Sequence, residues 1–128
     1  MSVIPADETQ AVAATIRSQI DTGALMSLGF SDPAHGTIEG MPAFMFHARI
    51  LPFTKSGDRS TRPAVMTVAI GLDYGSDSYT VIVTRTARGE VVEHARVSGV
   101  YADQLSSLLL GLDYDGDTVF NPRYWHDA

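Results

Sequence analysis

The chain has 128 residues, 45% of them hydrophobic, and a formal net charge of −6 at neutral pH. That length fits one domain with one hydrophobic core, and the composition excludes a disordered chain. The lack of cysteine excludes disulfides, thiolate nucleophiles, cysteine-zinc sites and iron–sulfur clusters. Because nucleic acid is a polyanion, the acidic balance also disfavours sequence-independent binding to it.

The sequence predicts no contact with a membrane. Its longest apolar run, residues 105–112, is far shorter than the roughly 20 residues that a membrane-spanning helix needs. Residues 1–8 lack the basic and apolar regions of a signal peptide. We therefore expect a cytoplasmic protein.

A helix is predicted over residues 7–22. Its apolar residues recur at four-residue spacing, which is typical of a helix with one buried face: Val12, Ile16 and Ile20. Asp7 is a suitable N-cap, and Gly23 is suited to end the helix.

The next segments lead to the first clear strand. Residues 24–30 are predicted to be a short strand or the end of the helix, and residues 31–42 are rich in turn formers and predict a loop. Residues 43–51 alternate between apolar and other side chains, which predicts a strand with one strongly apolar face.

Three more strands are predicted at residues 64–72, 78–88 and 90–97, because side chains alternate along each of them. Short connections that contain glycine separate the last three strands, as in antiparallel hairpins. Together with residues 43–51 they form an expected β-meander of about four strands.

A second helix is predicted up to residue 112, with Ser98 as its cap, since leucines then recur at spacings of three and four. We expect it to pack on one face of the sheet. The predicted fold class is α+β: one domain over residues 1–112 and a C-terminal extension, acidic and aromatic, over 113–128.

The loop at residues 53–63 carries the basic cluster Lys55, Arg59 and Arg62. Its composition favours a solvated connection between strands. The alternative is a loop that binds an anion or a partner, since functional residues concentrate on loops.

The extension begins with Asp113, Asp115 and Asp117, which stand at positions one, three and five of a calcium-binding loop pattern. Position six is Thr118 instead of glycine, and position twelve is Tyr124 instead of glutamate. Without the sharp turn and the bidentate last ligand, we expect a solvated acidic turn and no metal site.

Tyr124 and Trp125 lie near the end of the extension. Aromatic side chains in this position either pack on their own domain or contact another chain, because tyrosine and tryptophan contribute strongly to interfaces. Both residues, with the basic cluster of the loop and the three aspartates, are our candidate partner-binding residues.

No catalytic residue and no cofactor is expected. His47 and His94 fall on predicted strands and share no metal-ligand spacing. Ser98 and Asp103 are near His94 in sequence, but no strained nucleophile turn surrounds the serine. A helix cap and a first-turn charge explain these two residues more simply.

The hairpin SDSYTVIVTR (76–85), the strand GEVVEHARV (89–97) and the segment GVYADQLSSLL (99–109) resemble a family of small uncharacterised proteins of tailed phages and prophages. The residues that match the family pattern are Asp77, Tyr79, Val81, Val91, Glu93, His94, Val100, Tyr101, Ala102, Asp103 and Leu105. The resemblance implies a fold of helix, meander and helix, and an origin in a mobile element. It implies no reaction.

Our leading hypothesis is a small non-enzymatic interaction protein of phage type that binds a host or viral protein, as an inhibitor of host defence. One alternative is a protein associated with nucleic acid through the 53–63 loop. Another is a structural accessory of the virion, or a homo-oligomer joined at an edge strand or through the aromatic extension.

Overall fold

The computed structural model describes residues 4–50, 62 and 64–112. This part of the chain forms three α-helices and five β-strands in the order α1 (Ala6–Ser18), α2 (Thr22–Ser27), β1 (Ser31–Ile38), β2 (Met41–Ile50), β3 (Ala64–Asp73), β4 (Ser78–Ala87), β5 (Glu90–Val100) and α3 (Leu105–Leu112). A short 3-10 turn, Ala102–Gln104, precedes α3. The α+β class with an N-terminal helix, an antiparallel sheet and a C-terminal helix is confirmed.

The five strands form one antiparallel sheet in which each strand pairs with the next along the chain, so the order is β1-β2-β3-β4-β5. Two-residue turns, Glu39-Gly40 and Arg88-Gly89, join β1 to β2 and β4 to β5. All four residues have positive φ, which suits the twist of a tight hairpin. In such a meander, the β2–β3 connection and the β4–β5 turn lie at the same end of the sheet.

The N-terminal helix is shorter than predicted. Pro5 occupies the N-cap position without a side-chain hydrogen bond, so the prediction that Asp7 caps the helix is wrong. Asp7 instead lies in the first turn, where the helix dipole favours a negative charge. The helix ends at Ser18, and Gly23 lies inside α2, whose N-cap Asp21 accepts a hydrogen bond from the Gly23 amide.

Residues 24–30 belong to a separate short helix, α2, and its C-terminal end, so this segment is neither the predicted strand nor the end of the first helix. The amide of Arg49 on β2 donates a 2.7 Å hydrogen bond to the carbonyl of Leu28. Gly29 has a φ of +65°, and the side chain of Arg49 lies against it. This contact fixes the end of α2 to β2.

One hydrophobic core includes residues of all three helices and alternate residues of strands β2 to β5. The aromatic rings of Phe44, Phe46 and Phe30 contact one another, with centroids 5.2 to 6.3 Å apart. The fully buried side chains include Ile16, Leu28, Phe46, Ile50, Met66, Val68, Ile70, Val81, Leu105, Leu108 and Leu109. The face of the sheet that carries Phe46, Val68 and Val81 is named the core face, and the opposite one the outer face.

The tip of the β1–β2 hairpin lies over part of the outer face. A Cβ atom placed on Gly71 would be 3.1 Å from Cβ of Met41 and 3.3 Å from Cγ2 of Ile38. Because glycine has no side chain, it leaves room for both residues. Arg96 on β5 donates from Nη1 and Nη2 to the carboxylate of Glu39 in the hairpin turn.

The sheet is therefore curled. In a flat sheet of five strands, β1 and β5 would be roughly 19 Å apart, four spacings of about 4.8 Å. Arg96 and Glu39 nevertheless join β5 to the turn that ends β1, with N···O distances of 2.9 and 2.5 Å. The curl buries the outer-face side chains Ala69, Thr80 and Ile82 beneath the hairpin tip.

The expectation of about four strands and a loop over 31–42 is wrong, because β1 pairs with β2 along most of this segment. Most side chains of β1 are exposed, so its sequence lacks the alternation of apolar and polar residues that marks a strand with one buried face. Pro33 interrupts it, the register shifts between Ser31 and Ala34, and Asp32 has a φ of +54°. Such features are typical of an edge strand.

The prediction that Ser98 caps the last helix is also wrong. Ser98 lies in β5, which continues to Val100. Tyr101 occupies the N-cap position, and its amide donates a 2.9 Å hydrogen bond to Oε1 of Gln104. The α-helical part starts only at Leu105 because a 3-10 turn comes first.

Candidate functional site

The outer face is open at the end of the sheet where β3 and β5 begin. Two of its side chains there are strongly exposed although both are apolar, Val65 at 66% and Val91 at 74%. Between them lies a hollow of about 270 Å³. The outer-face residues around it, here named the Val65–Val91 face, are His47, Val65, Thr67, Thr84, Thr86 and Val91.

Strand register brings these residues together from four strands. His47 pairs with Thr67, and Thr67 pairs with Thr84, so the three side chains form one row across the outer face. Thr86 pairs with Val91 in the next row. Because all of them are strand residues, mostly β-branched, their side chains are held with little rotational freedom.

His47 is oriented by Asp32, a residue of β1. Nδ1 of the imidazole and Oδ2 of the carboxylate are 3.0 Å apart. An ionised carboxylate only accepts hydrogen bonds, so in the neutral imidazole Nδ1 of His47 carries the proton and Nε2 keeps its lone pair. The imidazole is thus arranged to accept a hydrogen bond from a bound molecule. Both side chains are well exposed, so solvent weakens the ion pair they form when His47 is protonated.

Basic residues gather at this end of the sheet. Arg49 is the penultimate residue of β2, and Arg62 is exposed just before β3. Arg85 lies near the end of β4, and Arg88 lies in the β4–β5 turn. The acidic side chains at the same end are Asp32, Glu90 and Glu93. Glu93 pairs with Arg96 at 2.8 Å. Charges of both signs therefore surround the hollow.

The opposite end of the sheet is acidic. It carries Glu39 in the β1–β2 turn and Asp73 and Asp77 around the β3–β4 turn. The hydroxyl of Tyr74 in that turn donates a 2.8 Å hydrogen bond to Glu8 of α1. Among the described residues of the sheet, charges of both signs lie near the Val65–Val91 face, and the acidic residues Glu39, Asp73 and Asp77 lie at the other end.

A second hollow, of about 260 Å³, lies between α1 and β1. Thr9 Oγ1 is 2.8 Å from Nδ1 of His35, and the guanidinium of Arg17 lies 5.0 Å from the centre of the Phe30 ring. These contacts join α1 to the β1 side of the sheet. The polar groups here are engaged within the fold, so this hollow is the weaker candidate.

Most residues predicted to bind a partner lie outside the described part of the chain: Lys55, Arg59, Asp113, Asp115, Asp117, Tyr124 and Trp125. Arg62 is described and is exposed at the end of the sheet that carries the Val65–Val91 face. Two strands separate His47 on β2 from His94 on β5. Within residues 4–50, 62 and 64–112, no three His, Asp or Glu side chains form a group that could hold a metal ion.

The valines of this face were predicted as strand residues but not as a site. Alternation places Val65 and Val91 on one face of a strand, but it does not show which face the rest of the chain covers. The predicted order of the strands in the meander could have indicated this end of the sheet as a site. It places the end of β2 and the start of β3 at the same end of the sheet as the β4–β5 turn, and so puts Arg49 and Arg62 at the same end as Arg85 and Arg88.

None of the described helices is both long and apolar enough to pass through a membrane. Comparison with models of known families, with curated proteins and with solved structures finds no match to this chain. The resemblance to phage and prophage proteins therefore stays a prediction from the residues that carry it.

Proposed function

We propose that this chain is a small interaction domain that binds another protein through the Val65–Val91 face. One observation carries the proposal: two exposed valines stand on the same face of the sheet, on either side of a polar hollow. The resemblance to phage proteins favours a host or viral protein as the partner. Inhibition of a host defence is the role that such an origin favours.

The composition of the face supports a protein partner. Protein interfaces combine an apolar centre with a polar, hydrated rim. Here Val65 and Val91 supply the apolar surface, while the threonine hydroxyls and the His47 imidazole supply hydrogen bonds. Because the sheet already holds these side chains in place, binding costs little conformational entropy.

The proposal is tested by placing a photo-crosslinking amino acid at Val65 and, as a control, at Met26, which is equally exposed but lies on α2. Crosslinking in the cells that express the protein should yield a specific adduct from position 65 alone. Affinity for the purified partner is then measured by calorimetry with Val65→Arg, Thr84→Arg and Met26→Arg.

We expect each outer-face substitution to weaken binding at least tenfold, about 1.4 kcal/mol, since it places a charged side chain in the centre of the interface. Met26→Arg should bind like the wild type. A partner that tolerates both outer-face substitutions but not Met26→Arg would disprove the proposed face.

The arginines at this end of the sheet favour a second candidate function, binding of nucleic acid. Arg85 and Arg88 lie at the same end of the sheet as Arg62, a member of the basic cluster predicted for the 53–63 loop. This candidate predicts an affinity for DNA or RNA that falls steeply with salt, with a smaller slope in Arg85→Ala/Arg88→Ala. Titrations that show no binding at low salt would exclude it.

A further inference from the structure

The outer edge of β5 is open where the strand begins. β5 forms one edge of the sheet, and its pairing with β4 is regular from Glu90 to Glu93. All four residues are exposed. Val91 points to the outer face and Val92, which is 40% exposed, to the other side. No other described residue of the chain thus covers this short segment on either face or along its outer edge.

The backbone of this segment has hydrogen-bonding groups directed away from β4. Ala87 and Glu90 flank a two-residue turn, so they form a hydrogen-bonded pair. In an antiparallel ladder such pairs alternate with pairs that are not hydrogen-bonded. The N–H and C=O of Val91 and Glu93 therefore point outward, where another strand can bind them.

Other parts of the sheet edges are less suited to pairing. β1 carries Pro33, a register shift and the left-handed residue Asp32. Further along β5, the register shifts beyond Glu93 and again near Gly99, which has a φ of +68°. Natural proteins use prolines and bulges of this kind to prevent strand addition. The Glu90–Glu93 segment lacks such protection.

We propose that two copies of this chain pair antiparallel through the Glu90–Glu93 segment, with Val91 of one copy opposite Val91 of the other. The two sheets then form one continuous sheet of ten strands. The inference concerns the edge of β5 and does not depend on the proposed partner protein. Pairing brings the Val65–Val91 faces of both copies side by side, as one larger apolar surface.

The residues that this register places opposite each other support it. It places the two most exposed apolar side chains of the edge against each other on the outer face, where cross-strand pairs of β-branched residues stabilise a sheet. It also places Glu93 opposite Gly89 of the second copy and so next to Arg88, a residue of opposite charge.

The charges of the described sheet residues do not oppose this orientation of the two copies. Glu39, Asp73 and Asp77 lie at the far end of the sheet, away from the contact. At the contact itself, Arg85 and Arg88 offset Glu90 and Glu93. The two sheets thus meet at the end where charges of both signs are present, which limits the repulsion between them.

The chain has no cysteine, which permits a direct test with single-cysteine variants. Opposed Val91 residues would have Cα atoms about 5.5 Å apart, within the range that a disulfide spans. The two Val92 residues would be roughly 8 Å apart, too far for a bridge. Val91→Cys should therefore form a covalent dimer under mild oxidation, and Val92→Cys and Met26→Cys should not.

The oligomeric state of the unmodified chain supplies the second measurement. Light scattering between about 10 and about 500 µM should show a rise from 13.8 kDa towards twice that mass. Val91→Pro should stay monomeric and folded, because it removes an amide that faces away from β4. Val65→Lys, away from the edge, should dimerise like the wild type.

A monomer at every concentration would overturn the inference, and so would crosslinking of Val92→Cys in preference to Val91→Cys. Neither result bears on the proposed function, whose test depends on Val65 and Thr84. Conversely, loss of partner binding in Val65→Arg with an intact dimer would leave the β5 pairing unaffected.

Discussion

Arg96 and Glu39 are 57 positions apart in sequence, and they form a two-pronged ion pair across the outer face of the sheet. Nε of Arg96 also donates a 2.9 Å hydrogen bond to Glu93, so one guanidinium binds two carboxylates. The pair fixes the tip of the β1–β2 hairpin to β5. It thereby sets where the covered part of the outer face ends and the open part begins.

This ion pair predicts a pH dependence of stability. The hydrogen bond from Arg96 holds the pKa of the Glu39 carboxyl below its ordinary value of 4.5. A carboxyl whose pKa is lower in the folded state stabilises the fold above its unfolded pKa, and this contribution is lost as the pH falls through the folded pKa.

Thermal unfolding of wild type and Glu39→Gln should therefore differ most near neutral pH and converge as the pH falls below 4.5. Glu90→Gln, which removes an exposed carboxylate at the other end of the sheet, serves as the control. A difference between wild type and Glu39→Gln that is the same at pH 7 and at pH 3 would contradict the role given to Arg96.

Gly71 is predicted to be sensitive to any added side chain. Gly71→Ala brings a methyl group within 3.1 Å of Met41 and 3.3 Å of Ile38, so the hairpin tip must move. We expect a loss of about 1–3 kcal/mol in the free energy of unfolding, measured with urea. Gly23→Ala is the matched control, since its new methyl lies 3.8 Å from the nearest atom. Equal stability of the two variants would be the contrary result.

Tyr79 on β4 donates a 2.6 Å hydrogen bond to Oε1 of Gln19 at the end of α1. Removing it in Tyr79→Phe should cost about 1 kcal/mol, while the exposed Tyr101→Phe should cost little. Burial raises the pKa of Tyr79 above 10.0. A raised pKa stabilises the folded state below the unfolded pKa, and this contribution disappears as the pH rises through the folded pKa.

An alkaline titration followed by tyrosinate absorbance should show a late component in the wild type. Tyr79 and Tyr74 both contribute to it, since the hydrogen bond to Glu8 raises the pKa of Tyr74 as well. The amplitude of this component should fall by one phenol in Tyr79→Phe, and an unchanged amplitude would show that Tyr79 does not contribute to it.

Ser106 in α3 accepts a 2.8 Å hydrogen bond at Oγ from the amide of Asp21, the N-cap of α2. Ser106→Ala leaves that amide without its partner, and we expect a loss of about 1 kcal/mol in the free energy of unfolding. Ser107→Ala, one position further on the exposed side of α3, should change stability by less than about 0.5 kcal/mol. Chemical denaturation of both variants measures the difference.

Much of the fold follows from the sequence because alternation is strong where one face of a strand is buried. Phe44, Phe46 and Ile50 on β2 illustrate this, and β3, β4 and the first part of β5 were found in the same way. β1 was missed since an exposed edge strand has no buried face to produce a pattern. Its pairing with β2 depends on contacts between the two strands in the folded chain, and the residues of β1 alone do not indicate it.

The candidate site was harder to predict for a related reason. Val65 and Val91 have the side chains of core residues, and their exposure depends on which face the helices cover. Likewise, the pairing of Arg96 with Glu39 depends on the curl of the whole sheet. Among the residues predicted to bind a partner, only Arg62 lies in the part of the chain that the structure describes.

The strand order also bears on how this chain folds. Every strand pairs with its neighbour in sequence, and all connections except the one between β2 and β3 have at most four residues, so these hairpins close at a small cost in entropy. Contacts of longer sequence separation join the helices to the sheet in the shared hydrophobic core and through polar links such as Tyr74 with Glu8 and Ser106 with Asp21. Folding rates rise as contacts become more local. We therefore expect this chain to fold faster than sandwiches and barrels of equal strand content.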